Sequence, residues 1–473
     1  MVTNEAPSRP GAPAPRLFGT DGIRGVVGQL YIPEFLADVG AAYSTWLGAP
    51  GTVLIAWDFR TSSPGMSHIL GGAMQMMGLD VVELGPMPTP CLQFNVRACG
   101  AQGGLMVTAS HNPPEFNGIK FAGPKGLEIP PEAERKIEEI IHWREFRKPD
   151  WRQAGSIRFD SAGTSRYLKS IVSNVDRELI ARHKPYVVLD PGNGTSAVTS
   201  PLLLRELGCR LVTLNSNPDG TFPGRNSEPS EENLTDLRRF VPQTGAALGI
   251  AHDGDSDRIT FIDEKGGYVP GDVTLGLFAR YMLQMHPGAT IVTSVTSSSL
   301  VRDVVEQEGG RFVATRSGSL PVAIGVEEEE AVFGGEENGH CYWPKHQNAP
   351  DGPMTSAVML ELMAHAGRPL SELVAEMPAY HLLKRKVPVG PELRVAALEH
   401  VRTTLGLEAA RIETVDGVKA YYDEGWVLVR PSGTEPLFRV FAESRTTAGV
   451  EKLSERGVAV VREFTERAAR ATS

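Results

Sequence analysis

Short apolar, β-branched runs alternate along the chain with longer stretches whose apolar positions recur at helical spacing. Residues 52–57, 81–84, 105–108, 186–189, 210–214, 246–251, 291–295 and 426–429 read as strands. Residues 63–77, 200–207, 299–307 and 355–365 read as helices between them. The strand-like runs are short and almost continuously apolar, as strands covered on both faces are. The rhythm predicts βαβ units and largely parallel sheets, an α/β class. Residues 447–471 read as one amphipathic helix.

Three polar stretches interrupt this rhythm, at 145–160, 262–272 and 378–391. They suggest a division into 16–158, 159–265, 266–377 and 378–473, segments of a size typical of domains. Residues 1–15 are rich in proline and alanine and lack an apolar core, so they are expected to be a disordered leader.

Composition narrows the function. With 47 basic and 57 acidic residues the chain carries a net −10, which argues against a general nucleic-acid binder. Small anionic substrates remain open, because a few arginines focus field locally even in an acidic protein. Cys91, Cys99, Cys209 and Cys341 have neither metal-site spacing nor a dense disulfide pattern, which suits a reducing compartment. No apolar run reaches the ~20 residues that span a bilayer. A cytoplasmic protein with no nucleic-acid or membrane partner, monomeric or homodimeric, is expected.

Four loops carry chemistry, each after a strand-like run. The first is Thr108-Ala109-Ser110-His111-Asn112-Pro113-Pro114, with Lys120 beyond it. Ser110 is a candidate nucleophile, and His111 and Lys120 lie within reach in sequence; a plain strand-ending turn weighs equally on this loop alone. The second is Asp253-Gly254-Asp255-Ser256-Asp257-Arg258. Three aspartates at alternate positions aim at one point if the loop curls, and hard oxygen ligands favour Mg²⁺ or Ca²⁺. An EF-hand is disfavoured because Arg258 stands where that loop requires glycine. An aspartyl-phosphate phosphatase with Asp253 as nucleophile stays open. The third, Gly334-Gly335-Glu336-Glu337-Asn338-Gly339-His340, offers Glu336 and Asn338 to sugar hydroxyls and His340 for proton movement. The fourth is Arg430-Pro431-Ser432-Gly433-Thr434-Glu435-Pro436, followed by Arg439. Its consecutive N–H groups, hydroxyls and arginines match a phosphate.

One glycine pattern misleads. Gly192-Asn193-Gly194-Thr195-Ser196-Ala197 fits a dinucleotide fingerprint, but Asp190-Pro191 interposes a turn and no acidic strand end follows at the required distance. No P-loop occurs in the chain.

The four loops, in order, resemble the signature motifs of the α-D-phosphohexomutase superfamily, the phosphoglucomutases, phosphomannomutases and phosphoglucosamine mutases. The motifs are TASHNPPEFNGIK, DGDSDR, GGEENGH and RPSGTEP. Residues 18–25 (FGTDGIRG) and 218–226 (PDGTFPGRN) match two further segments. The resemblance implies three related α/β domains with mixed sheets plus a C-terminal α+β domain of TATA-binding-protein-like topology, around a central cleft. It implies that Ser110 carries a phosphoryl group and that Ser110, Asp253, Asp255 and Asp257 hold one Mg²⁺ per site. Lys120 and His340 would serve as acid and base, with Arg24, Arg258 and His111 beside the phosphoserine. Glu336 and Asn338 would read sugar hydroxyls; Arg430, Ser432, Gly433, Thr434 and Arg439 would grip the non-reacting phosphate. The activity implied is interconversion of hexose 1- and 6-phosphates through a 1,6-bisphosphate, which also serves as activator. The FGTDGIRG, EENG and FPGRN forms lean towards phosphoglucosamine mutases, whereas PPEF leans towards phosphoglucomutase/phosphomannomutase. A phosphatase and a non-catalytic phosphosugar-binding protein are the remaining alternatives.

Overall fold

The computed structural model describes residues 16–19, 21–432 and 435–472. The chain divides into two compact units: the segment ending at Pro270 together with Asn338–Leu373, and Gly271–Glu337 together with the segment beginning at Val374.

The first unit contains two sheets. One has six strands in the order Ile23–Val26, Phe116–Ala122, Gly103–Val107, Gly51–Trp57, Leu79–Pro86, Ile157–Phe159. Its centre is parallel, and the Phe116–Ala122 strand turns back antiparallel against Gly103–Val107. Helices Pro33–Leu47 and Ser63–Met76 cover it with an apolar layer that includes Leu36, Val39, Tyr43, Leu70 and Met74. The second sheet has five strands in the order Tyr268–Val269, Ile259–Asp263, Leu248–His252, Tyr186–Asp190, Arg210–Thr213. It is parallel at one edge and antiparallel at the other. A hairpin, His340–Trp343 with Gln347–Pro350, and the buried helix Gly352–Ala366 complete this unit.

In the second unit, Thr290–Ser294 runs parallel to both Arg311–Thr315 and Phe333–Glu336. A separate five-stranded, wholly antiparallel sheet has the order His381–Pro388, Leu437–Ser444, Gly425–Pro431, Val418–Tyr422, Arg411–Glu413. Helices Arg394–Gly406 and Thr447–Thr472 close its core through Ala397, Val401, Val450, Leu453 and Val461. This is the α/β architecture with mixed sheets and a C-terminal α+β part that the family resemblance implies; the largely parallel sheets expected from the apolar rhythm alone are corrected by antiparallel strands such as Phe116–Ala122 and Ile259–Asp263, which turn back as hairpins and need no crossover helix.

Two polar stretches prove more ordered than their composition suggests. Residues 145–160 include the strand Ile157–Phe159, which adds to the exposed edge of the six-stranded sheet. Residues 378–391 include the eight-residue strand His381–Pro388, whose exposed charged positions hid an edge strand from a reading based on apolar runs. The leader at 1–15 lies outside the described residues. No helix among the described residues is long and apolar enough to cross a membrane.

Candidate active site

The strand Gly103–Val107 ends at Thr108, and Ser110 follows with its backbone in the left-handed region at φ 50°. Its N–H donates to Thr108 Oγ1 at 3.0 Å, and the residue is buried. The strand Leu248–His252 ends directly before Asp253. Ser256, also left-handed at φ 66°, curls the following turn so that Asp253, Asp255 and Asp257 converge. One carboxylate oxygen from each lies within 4.8 Å of the others. Ser110 Oγ donates to Asp253 Oδ2 at 2.9 Å, joining positions 143 residues apart. Gly254 is required between the two loops: a Cβ there would stand 2.5 Å from the Ser110 carbonyl oxygen.

The carboxylates are unequally compensated. Lys120 Nζ donates to Asp257 Oδ2 at 2.7 Å and lies 2.9 Å from Asp255 Oδ2 and 2.8 Å from Asp21 Oδ2. Burial works against the Lys120 ammonium, but Asp21, Asp255 and Asp257 together carry its pKa well above the usual lysine value. Burial likewise disfavours the charged form of Asp257, yet Lys120, His340 and Arg258 hold it well below the carboxylate range. For Asp255, burial and Asp257 push up, and Lys120 and the hydroxyl of Thr89 (2.5 Å) bring the net result down. Asp253 has no such ammonium. Burial, then Asp257 and Asp255, drive it well above the usual value.

Further cations surround this core. Arg258 donates its backbone N–H to Asp253 Oδ1 at 3.1 Å, and its Nη1 to both oxygens of Glu228 at 3.0 and 2.9 Å. Its Nε donates to His340 Nε2 at 3.4 Å, and that ring nitrogen lies 3.5 Å from Asp257 Oδ1. Asn338 Oδ1 accepts the His340 N–H at 3.1 Å. Arg24 Nη1 donates to Asn112 Oδ1 at 3.0 Å. His111 Nδ1 stands 3.3 Å from Ser110 Oγ and 3.5 Å from Glu228 Oε2, and burial with Arg258 and Arg24 pushes its pKa down to about 4.

The structure therefore brings Ser110, His111, Lys120, Arg24, Asp253, Asp255, Asp257, Arg258, Asn338 and His340 together in the first unit. Glu336, Arg430, Ser432 and Arg439 belong to the second unit. There Glu336 Oε1 accepts the Gly318 N–H at 2.9 Å, and Arg430 Nε lies 3.0 Å from Asp416 Oδ2. Ser432 is buried, its Oγ accepting the Glu435 N–H, and Arg439 is partly exposed beside Glu435. Gly433 and Thr434 lie outside the described residues.

The three aspartates fit a hard divalent cation. Oδ1 of Asp255 and Oδ1 of Asp257 are buried without a hydrogen-bond partner among the described residues, and the donor set is all oxygen. Four polar neighbours escape a reading of the sequence alone. Asp21 sits inside the FGTDGIRG segment without an assigned task. Thr89 opens a helix far from the metal loop, and its N–H donates to the Asp255 carbonyl at 2.9 Å. Glu228 lies two residues past the PDGTFPGRN segment. Arg60 follows the strand Gly51–Trp57, a strand-end position that was available as a signal. The misleading glycine pattern also finds its place: Thr195 N–H donates to the Gly254 carbonyl at 3.0 Å, and its Oγ1 lies 3.0 Å from Ser256 Oγ. That loop braces the metal loop.

Comparison with known proteins follows the same order along the chain. Residues 15–148, 165–267 and 270–380 match the models of α/β/α domains I, II and III of phosphoglucomutase/phosphomannomutase, and residues 382–460 match its C-terminal domain. A phosphoglucomutase/phosphomannomutase of Thermococcus kodakarensis is 38% identical over 452 residues, covering 95% of this chain and 99% of the relative. A probable phosphoglucosamine mutase of Methanopyrus kandleri is 40% identical over 451 residues, with coverage of 95% and 99%. The crystal structure of a phosphoglucomutase/phosphomannomutase family protein from Burkholderia thailandensis superimposes with a TM-score of 0.85 at 27% identity, covering 94% of this chain and 97% of that one.

Proposed function

The chain belongs to the phosphoglucomutase/phosphomannomutase family, and we propose that it interconverts hexose 1- and 6-phosphates through a phosphorylated Ser110 and a sugar 1,6-bisphosphate. The observation that carries this reading is the 2.9 Å bond from Ser110 Oγ to Asp253, one of three converging buried carboxylates. Glucosamine phosphate is the favoured substrate, in line with the relatives named as probable phosphoglucosamine mutases.

Phosphoryl transfer depends on positioning and charge neutralisation more than on covalent chemistry by the protein. Asp253, Asp255 and Asp257, with Ser110, would hold Mg²⁺, which would supply charge neutralisation and make the serine a better leaving group. Ser110 gives its phosphoryl group to the free hydroxyl of the sugar phosphate, and the bisphosphate then returns its other phosphoryl group to Ser110. Arg24 and Arg258 offer positive charge on either side of the serine loop. Lys120 is a fixed cation held by three carboxylates. His340, beside Arg258 and Asp257, is assigned to moving the proton of the attacking hydroxyl. His111 stays neutral beside Ser110 Oγ and adds no competing charge. Glu336 and Asn338 are assigned to sugar hydroxyls, and Arg430, Ser432, Gly433, Thr434 and Arg439 to the phosphate that is not reacting. A dephosphorylated enzyme is restored by a hexose 1,6-bisphosphate. Four free thiols support a cytoplasmic setting.

The test is Ser110→Ala, assayed with Mg²⁺ and fresh bisphosphate on glucosamine, glucose and mannose 1-phosphates. Turnover falls to background for all three, and intact mass shows phosphate on the wild type only. Mutase turnover by the Ala variant would refute the phosphoserine. Of the three kcat/KM values for the wild type, that for glucosamine 1-phosphate is the highest; a higher value for glucose or mannose would reassign the substrate.

A further inference from the structure

Arg60 is wholly buried at the end of the strand Gly51–Trp57, and every donor of its guanidinium is used. Nη2 donates to the carbonyls of Ser110 (3.0 Å) and Asn112 (2.6 Å). Nη1 donates to those of Pro113 (2.7 Å) and Phe116 (3.0 Å). Nε donates to Asp58 Oδ2 at 3.1 Å. Asp58 also accepts from Thr108 Oγ1 at 2.7 Å and Ser63 Oγ at 2.6 Å. Thr108 Oγ1 in turn accepts the Ser110 N–H. The two residues thus hold the serine from both its N–H and its carbonyl side.

The sheet alone does not do this. Antiparallel pairing of Gly103–Val107 with Phe116–Ala122 fixes the ends of the loop. Within it, the turn bonds Asn112 N–H to Ala109 and Phe116 N–H to Pro113 close only locally. Four carbonyls on one guanidinium tie the loop interior to the strand beneath it. On the far side the Ser110 carbonyl abuts Gly254, so the guanidinium and the metal loop grip the same peptide.

The PDGTFPGRN segment gains a task here. Phe222, left-handed at φ 50° and buried, lays its ring 4.9 Å from Arg60 Cζ. Gly220 approaches so closely that a Cβ would stand 2.4 Å from Arg60 Cα. The segment seals Arg60 from water and keeps its five bonds strong.

We propose that Arg60 is a positioning residue for phosphoryl transfer, which sets the serine loop so that Ser110 Oγ stays in register with the three carboxylates, with Asp58 and Phe222 holding it. The inference rests on the phosphoserine reading above. A loop released from Arg60 misplaces the reacting oxygen without touching the residues assigned to the sugar, so kcat falls and KM does not. A displaced phosphoserine is also more open to water, so its phosphate is lost to hydrolysis sooner.

The test uses the full chain with Mg²⁺ and bisphosphate, comparing wild type with Arg60→Lys, Asp58→Asn and Phe222→Leu. Lysine keeps the charge and loses the fork that reaches four carbonyls. For Arg60→Lys we expect kcat lower by ~10–100-fold, the scale of an ångström's misplacement. KM should stay within about two-fold, and phosphate release from the phosphorylated enzyme should rise. Asp58→Asn and Phe222→Leu should move the same quantities in the same direction by less, and they carry the test if Arg60→Lys does not fold. A folded Arg60→Lys enzyme with wild-type kcat, or a loss confined to KM, overturns the inference. A wild-type enzyme that turns over without ever carrying phosphate on Ser110 sinks the phosphoserine reading instead.

Discussion

Replacing Asp253 by asparagine separates the electrostatic role of the metal loop from its architecture. Unit charges within 4.8 Å of one another repel by about 3.5 kcal/mol per pair at an effective dielectric of ~20. Lys120 offsets this at Asp255 and Asp257 and leaves Asp253 to bear it, which is why the Asp253 pKa alone is driven upward. Asparagine resembles the neutral form. Its Oδ1 keeps the Arg258 N–H, and its Nδ2 faces Ser110 Oγ. In chelator-treated buffer Asp253→Asn should therefore melt at or above the wild-type temperature. With Mg²⁺ at a hundred times its Kd the wild type gains about 2.7 kcal/mol, a rise of ~5 °C at about 2 °C per kcal/mol. Asp253→Asn should lose most of that rise. The cation takes Asp253 ionised, so binding releases a proton and the wild-type rise shrinks as pH falls. Differential scanning fluorimetry with and without MgCl₂ reads all of this. An Asp253→Asn protein with an undiminished Mg²⁺ response would refute the placement of the cation.

Two stability predictions follow from other buried charges. Burial pulls Lys419 down to about 8 despite Glu443, its Nζ lying 3.7 Å from the Trp426 ring centroid and 2.8 Å from the Val295 carbonyl. Because the unfolded chain binds this proton more tightly, stability should climb between pH 8 and 10.5, by about 3 kcal/mol from this group at 1.36 kcal/mol per unit. Lys419→Met should flatten that rise in denaturant melts across the window, and an unchanged slope would count against it. Arg225 bridges Asp190 Oδ2 at 3.0 Å and the His252 carbonyl at 2.6 Å, with both side chains of the ion pair buried. Arg225→Met leaves the buried Asp190 carboxylate without its guanidinium, with only the neutral donors Gly192 N–H and Asn215 Nδ2 shown beside it, and should cost about 3 kcal/mol; urea unfolding showing a loss under about 1 kcal/mol would contradict this.

The parts of the site that announced themselves were dense and local. DGDSDR places three carboxylates at alternate positions after an apolar strand, and only a cation or a lysine reconciles such neighbours. Helices such as Ser299–Gln307 were equally plain from their periodic apolar run. What stayed hidden was tertiary. Arg60, Thr89 and Glu228 reach the site across 50, 166 and 30 positions respectively, and isolated polar residues carry no periodicity to betray such contacts. The strand His381–Pro388 was masked by Lys384, Arg385 and Lys386, three consecutive exposed positions that break the apolar alternation by which a strand is read. The 192–197 loop shows the opposite failure: a fingerprint of glycines that invites a nucleotide reading, whose Thr195 N–H supports the neighbouring metal loop.

The backbone of Ser110 also explains which hydroxyl amino acid the position admits. At φ 50° a β-branched side chain crowds its own peptide, whereas serine pays a modest penalty. Threonine would offer the same oxygen and a similar nucleophile, yet its extra methyl group is turned away by torsion, before any question of reactivity arises. The choice of phosphate carrier is in this sense conformational, and a chemically conservative exchange there is structurally a radical one.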